Sequence, residues 1–192
     1  MIDALRYTLK EDFKNNMIEQ GDQRLIFLTA HRRESIGEPL INMLSAVKNF
    51  VRDHPDTRVI YPVHPNSAVR QTAEKILGGC ERITLCPPLG VIDCHNILAR
   101  SHIILTDSGG IQEEAAALKK PVLITRNVTE RPEGILAGVA MLAGTDRLQI
   151  EATLERVLGD DALYSRMCSS VNPYGDGTAC EKIADILCEK TV

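Results

Sequence analysis

The stretch HIILTDSGGIQEEAAALKKPVLI, His102 to Ile124, decides the fold. His102-Ile103-Ile104-Leu105 is a short apolar run of the buried-strand type. Ile111 to Leu118 reads as a helix, and Lys119 and Lys120 suit its negative C-terminal end. Pro121-Val122-Leu123-Ile124 is a strand again. Between the first strand and the helix lies Thr106-Asp107-Ser108-Gly109-Gly110. Strand, glycine turn, helix and strand in so few residues make one unit of a helix-covered sheet.

The same alternation extends in both directions. Toward the N-terminus, Ile2, Leu5 and Leu9 share a face of an opening helix, and Leu25-Ile26-Phe27-Leu28-Thr29 is a strand. Leu40, Ile41, Leu44, Val47 and Val51 recur at helical spacing before strand Arg58-Val59-Ile60-Tyr61. A helix through Val69, Ala73 and Leu77 stops at Gly78-Gly79. Arg82 to Leu85 is a strand and Val91 to Ala99 a helix. Toward the C-terminus follow strand Val139 to Leu142, a helical stripe of Ile150, Leu154, Val157 and Leu158, and a last stripe of Ile183, Ile186 and Leu187. Strands that are apolar throughout are buried on both faces. The pattern predicts an α/β fold, a Rossmann-like doubly wound parallel sheet of about six strands.

Composition bounds the function. The 192 residues carry 44% hydrophobic and 25% charged side chains, ordinary for a globular domain, and a formal net charge of -4. No global basic field exists to draw nucleic acid or an anionic membrane, so neither is expected as a partner. The six cysteines form no C-x-x-C pair and no zinc-finger spacing, so no metal is expected. With no signal-peptide pattern and no membrane-length apolar run, a cytoplasmic protein with reduced thiols is expected.

Ligands of open parallel sheets bind beyond the carboxyl ends of the strands. Those ends carry His31-Arg32-Arg33-Glu34, His64-Pro65-Asn66, Asp107-Ser108-Gly109-Gly110 and Arg126-Asn127 running on to Glu130-Arg131. The opposite ends, Gly21-Asp22, His54-Pro55 and Lys119-Lys120, read as ordinary turns. Ser108-Gly109-Gly110 opening a helix suits a diphosphate, because the glycines allow close approach and the helix start offers N–H donors. The same residues also suit a tight turn capped by Asp107 or Ser108. Glu113 and Glu114, one turn in, either offset the helix dipole or accept the hydroxyls of a ribose, Glu114 being the better placed. Arg32 and Arg33 suit a bidentate clamp on phosphate or carboxylate, or a solvated turn. His31 titrates near neutrality, and His64 also suits a structural role beside Pro65. His95 and His102 fall within elements and are assigned to packing or surface. Thr129 to Glu133 reads as a helix start with proline in its first turn, from which Arg131 either enters the site or pairs with a glutamate.

Five segments occur in order: Thr29 to Ser35 (TAHRRES), Tyr61 to Asn66 (YPVHPN), Leu105 to Glu114 (LTDSGGIQEE), Thr129 to Glu133 (TERPE) and Asn172 to Gly177 (NPYGDG). Together they closely resemble the C-terminal half of the non-hydrolysing bacterial UDP-N-acetylglucosamine 2-epimerases, over essentially the whole chain. The resemblance implies one half of a GT-B-type two-domain enzyme. Residues 1-20 would be an interdomain helix region, 21-170 the Rossmann-like core, and 171-192 a C-terminal crossover segment and helix. It implies interconversion of UDP-GlcNAc and UDP-ManNAc, for cell-surface polysaccharide, by elimination and re-addition of UDP without metal or NAD. Ser108, Gly109 and Gly110 would hold the diphosphate and Glu114 the ribose. Arg131 and His31 would lie near the phosphates, His31 in a catalytic role at the leaving UDP. Arg32 and His64 match residues that bind a second, activating UDP-GlcNAc in some members.

Two departures bear on these expectations. Cys94 stands where many relatives carry an aromatic against uracil, which implies weaker base binding. The chain begins near the point where the family crosses between domains, so the N-terminal domain and its proton-transferring acids are expected to be absent, and the chain alone inactive. The last helix would then expose Ile183, Ile186 and Leu187, to be covered by self-association or by a separate N-terminal chain. The alternatives are a stand-alone UDP-sugar-binding module and half of a hydrolysing 2-epimerase or of a GT-B glycosyltransferase.

Overall fold

A computed structural model describes residues 1–18 and 23–189, with Arg33 described for its backbone only. The expected turn at Gly21-Asp22 lies outside these residues. Six strands form one parallel sheet: β1 (Arg24–Thr29), β2 (Thr57–Pro62), β3 (Ile83–Cys86), β4 (Ile103–Thr106), β5 (Val122–Ile124) and β6 (Ala140–Leu142). Their spatial order is β3-β2-β1-β4-β5-β6, the doubly wound order in which the winding reverses between β1 and β4.

Period-two alternation in the strands sorts the core into two layers. In β1, Ile26 and Leu28 face one side, with helices α2 (Glu38–Asp53), α3 (Ser67–Leu77), α7 (Arg147–Gly159) and α8 (Asp161–Ser169). Leu25 and Phe27 face the other, with α4 (Val91–Arg100) and α5 (Gly109–Ala117). Leu105 sits fully buried in β4, in register with Leu28 of β1 and Leu123 of β5. Leu105→Ala should cost about 2–5 kcal/mol, the usual range for an unfilled core leucine site. Urea unfolding at neutral pH reads this as a lower midpoint at unchanged slope.

The opening helix, α1 (Ile2–Thr8), is shorter than its apolar spacing suggests. Of Ile2, Leu5 and Leu9 it buries only Leu5, and Leu9 already has extended backbone at the C-cap. The buried Asn96 of α4 stops it there, donating to Thr8 O (2.7 Å) and accepting from Lys10 N–H (2.9 Å). Phe13, Met17 and Ile18 then pack along the second layer. Helix α8 was not anticipated. Asp160 caps it by accepting from Leu163 N–H at 2.9 Å, but Met167 is its one buried residue, too weak a stripe to announce a helix. His102 stacks on Tyr164 of this helix, ring centres 4.1 Å apart, and burial pushes its pKa down to about 4.

Two further elements frame the site. Helix α6 (Pro132–Leu136) starts at Arg131 with proline in its first turn, as its sequence suggests. The Asn172–Gly177 segment folds around Asn172, whose carbonyl accepts from Tyr174 N–H at 3.1 Å, and Tyr174 lies over Gly134 of α6. A side chain at position 134 would collide with the tyrosine hydroxyl, so these two motifs fit one another. The last helix, α9 (Ala179–Glu189), buries none of its residues, and Ile183, Ile186 and Leu187 lie exposed. It is tied to α1 by the Arg6–Glu181 ion pair (3.0 Å) and by Cys180 N–H on Asp3 (2.8 Å).

Candidate functional site

The carboxyl ends of β1 and β4 meet where the winding reverses, and Asp107 joins them. Its side chain is 1% exposed. It accepts from the backbone N–H groups of His31 and Arg32, each at 3.0 Å, and from the Ser35 hydroxyl at 2.8 Å. His31 Nδ1 stands 3.2 Å from Asp107 Oδ1. The segment after β1 is thereby folded over the end of β4, with a 3-10 turn at Arg33–Ser35. Burial would raise the Asp107 carboxyl, but the donors from His31, Arg32 and Ser35 outweigh it and hold it below the usual aspartate value.

The same hydrogen bond lifts His31 above the ordinary 6.5, against the opposing pull of burial and of Arg32. A raised histidine pKa means that the imidazolium's contribution is complete below 6.5 and fades as pH rises through the folded value. Binding of an anion beside His31 should likewise weaken as pH rises through the folded His31 value, which lies above 6.5. An NMR titration of the His31 ring should show a midpoint above 6.5, and Asp107→Asn should move it down.

Helix α5 begins without a side-chain cap. Ser108 is the N-cap residue, and its own N–H donates to Thr106 Oγ1 at 2.9 Å. The first intrahelical bond runs from Gln112 N–H to Ser108 C=O. The N–H groups of Gly109, Gly110 and Ile111 have no acceptor among the described residues. The reading of a turn capped by Asp107 or Ser108 is thereby corrected: Asp107 serves the β1 segment, and Ser108 makes no cap bond. Three open donors at the positive end of a helix form an anion site.

The surroundings of that helix start carry balanced charge. Glu130 accepts from Arg32 Nη2 and from Arg126 Nη1. A Cβ built on Gly109 would lie 2.7 Å from Glu130 Oε1 and 3.8 Å from Arg32 Nη2, so carboxylate and guanidinium both border the glycine. The Met1 side chain covers Gly110 in the same way. Arg126 also reaches Glu34 at 2.8 Å.

The two glutamates of α5 part company. Glu113 pairs with Arg131, Oε1 to Nε at 2.5 Å, so Arg131 is engaged by a glutamate beside the site. Glu114 is buried, with Oε1 at 3.3 Å from His95 Nε2. Next to it a recess of about 210 Å³ opens between Thr29, Ala30, His31, His64, Leu89, Cys94 and Ile111. Its lining is chiefly apolar. His64 stacks toward His31, ring centres 6.2 Å apart, and its Nδ1 accepts from Asn66 N–H at 3.2 Å. Cys94 lies at the wall, its thiol pushed up to about 12 by burial and by Glu114. The structure thus brings His31, Arg32, His64, Ser108, Gly109, Gly110 and Glu114 to one sheet edge, with Arg131 beside them on Glu113.

Sequence reading missed three features. Asp107 as the joint between strands, Glu130 between two arginines, and His95 on Glu114 are all contacts between distant segments. No local pattern announces any of them. Among the described residues no group of three His, Cys, Asp or Glu is disposed to hold a metal ion.

The sequence profile of the UDP-N-acetylglucosamine 2-epimerases matches residues 1–188. The chain belongs to this family. It is 48% identical over 187 residues to the Bacillus subtilis UDP-N-acetylglucosamine 2-epimerase, covering 97% of this chain and 49% of that protein. The UDP-bound structure of Staphylococcus aureus MnaA superposes with a TM-score of 0.95 at 45% identity, covering 97% of this chain and 51% of the other. The Neisseria meningitidis UDP-GlcNAc 2-epimerase bound to UDP-GlcNAc gives 0.91 at 34% identity, covering 98% and 53%. The chain therefore spans about half the length of the epimerases it matches. Across that half the fold is the family's Rossmann-like domain.

Proposed function

We propose that this chain is the UDP-holding half of an enzyme that interconverts UDP-GlcNAc and UDP-ManNAc. The observation that carries the reading is the uncapped start of α5, with open N–H groups on Gly109, Gly110 and Ile111. Beside it lie a buried carboxylate and a mostly apolar recess, in the sequence a nucleoside diphosphate requires: phosphates on the N–H groups and Ser108, ribose hydroxyls on Glu114, uracil in the recess with Cys94. The UDP and UDP-GlcNAc complexes of MnaA and of the Neisseria enzyme support the ligand class.

The chemistry follows from charge. Expelling UDP from the sugar builds negative charge on the phosphate oxygens. Fixed N–H donors and a protonated His31, held in place by Asp107, stabilise that charge without having to reorganise. Arg131 adds positive charge at the same edge. Elimination and re-addition leave the sugar's oxidation state unchanged, so the reading calls on no NAD, and it gives the charge on the leaving phosphate to the N–H donors and His31 rather than to a metal. Arg32, beside Gly109, and His64, in the wall of the recess, are proposed to contact a second, activating UDP-GlcNAc. The proton transfers at C2 are assigned to acids of the other half, since Asp107 is fully committed to His31, Arg32 and Ser35.

Incubating the purified chain with UDP-GlcNAc tests this division of labour. No UDP-ManNAc should form, although UDP binds. Turnover at the rate of an intact two-domain enzyme would overturn it. The exposed Ile183 and Ile186 on α9 are proposed to meet a second copy or the other half of the enzyme. Sedimentation at high concentration should show self-association that Ile186→Asp weakens; a monomer throughout would leave the other half as the one candidate cover. No helix among the described residues is long and apolar enough to cross a membrane. The proposed substrates, nucleotide sugars, support a cytoplasmic reaction.

A further inference from the structure

Glu114 does not stand alone in its pocket. His95 of α4 is 2% exposed and places Nε2 at 3.3 Å from Glu114 Oε1. Its other nitrogen, Nδ1, is 2.7 Å from Thr8 Oγ1 at the end of α1. The Thr8 hydroxyl has one proton, and it is directed to Ala4 O at 2.9 Å. Thr8 Oγ1 and His95 Nδ1 share one hydrogen bond, its donor set by the ring tautomer. On the other side of the ring, Nε2 faces Glu114 Oε1 at ion-pair distance.

The consequence is mechanical. A carboxylate at the end of two methylenes has several rotamers, and each must be given up to meet a ribose. Here His95 fixes one oxygen, and α4 fixes His95. Asn96, the next residue, holds the end of α1 by Thr8 O and Lys10 N–H, so Thr8 cannot drift from His95. The chain α1–Thr8–His95–Glu114 is continuous through buried and half-buried groups.

We propose that His95 is a positioning residue that presets the Glu114 carboxylate for the two ribose hydroxyls, braced by Thr8 of α1. This rests on the ribose reading of Glu114. It assigns His95 a specificity role: ribose over sugars that lack the hydroxyls. Second-sphere partners of this kind hold a polar group in its productive rotamer before the ligand arrives.

The test compares UDP with 2′,3′-dideoxy-UDP by calorimetry on the full chain. The wild type should prefer UDP, and Glu114→Gln should narrow that preference. His95→Phe keeps the ring and removes both polar contacts; it should weaken UDP about tenfold while leaving the dideoxy ligand unchanged. His95→Gln keeps an N–H near the Nε2 position and should restore most of the preference. Thr8→Val, far from the ligand, should give a smaller loss in the same direction, and it serves if His95→Phe does not fold. Equal weakening of both ligands by His95→Phe, or an unchanged preference in both the His95 and Thr8 variants, overturns the proposal while the ribose reading stands. A wild type that binds both ligands alike overturns the ribose reading itself and the proposal with it.

Discussion

Gly109→Val is expected to abolish measurable UDP binding and to leave the fold intact. The glycine opens α5 with ordinary helical backbone, so a side chain there is not strained. The atoms nearest its Cβ would be the ends of Glu130 and Arg32, both long side chains that can yield. What cannot yield is the space over the helix start. The added methyl groups would stand where phosphate oxygens must come to reach the N–H groups of Gly109 and Gly110. Hydrogen bonds to charged groups are worth about 1.5–3 kcal/mol each, so losing two means roughly a hundredfold or more in affinity. Thermal melting should change little. A variant that keeps wild-type affinity would show that the phosphates bind elsewhere.

Asp107→Ala should be the most destabilising single change at the site. Its carboxylate serves two backbone N–H groups, a hydroxyl and an imidazole, and it is almost fully buried. Alanine leaves those donors facing a small void. With one to two of them unable to reach water, the cost is about 2–4 kcal/mol. The Ala30–Ser35 segment would loosen from β4, and His31 would lose both its orientation and its raised pKa. Urea unfolding should show the loss at neutral pH. The wild-type carboxyl is held below its ordinary 3.8, so its advantage persists above 3.8 and is lost as pH falls through the lower folded value. The two proteins should therefore converge in strong acid.

The fold was legible because its central strands have no polar interruptions. Ile26 to Leu28, Val59 to Tyr61 and Ile103 to Leu105 are apolar on both faces, which only a helix-covered parallel sheet accommodates. Helix α8 was not legible, since a single fully buried methionine leaves almost no periodicity. The opening helix was read one residue too long, because Leu9 continues an apolar spacing that Asn96, 87 residues away, interrupts.

The site divides in the same way. Ser108-Gly109-Gly110 announced itself through local chemistry, a glycine pair between strand and helix. Whether its donors were open depended on where Asp107 pointed, and that is set by the β1 segment rather than by its neighbours. His95 read as packing or surface, and it is buried; its partner Glu114 is on another helix. Glu130 looked like part of a helix start, while its carboxylate lies against Arg32 from a segment nearly a hundred residues earlier. Residues that act through local geometry can be read from a sequence, and residues that act through a partner across the sheet need the fold.

The central claim is that UDP binds at the uncapped start of α5. The most direct measurement is a titration of the isotope-labelled chain with UDP, followed through its backbone amide resonances. The account predicts saturable shifts at Gly109, Gly110 and Ile111, with smaller ones at His31, Glu114 and Cys94, and their loss in Gly109→Val. Amides that stay still at millimolar UDP, or shifts that fall away from the β1–β4 edge, would contradict it.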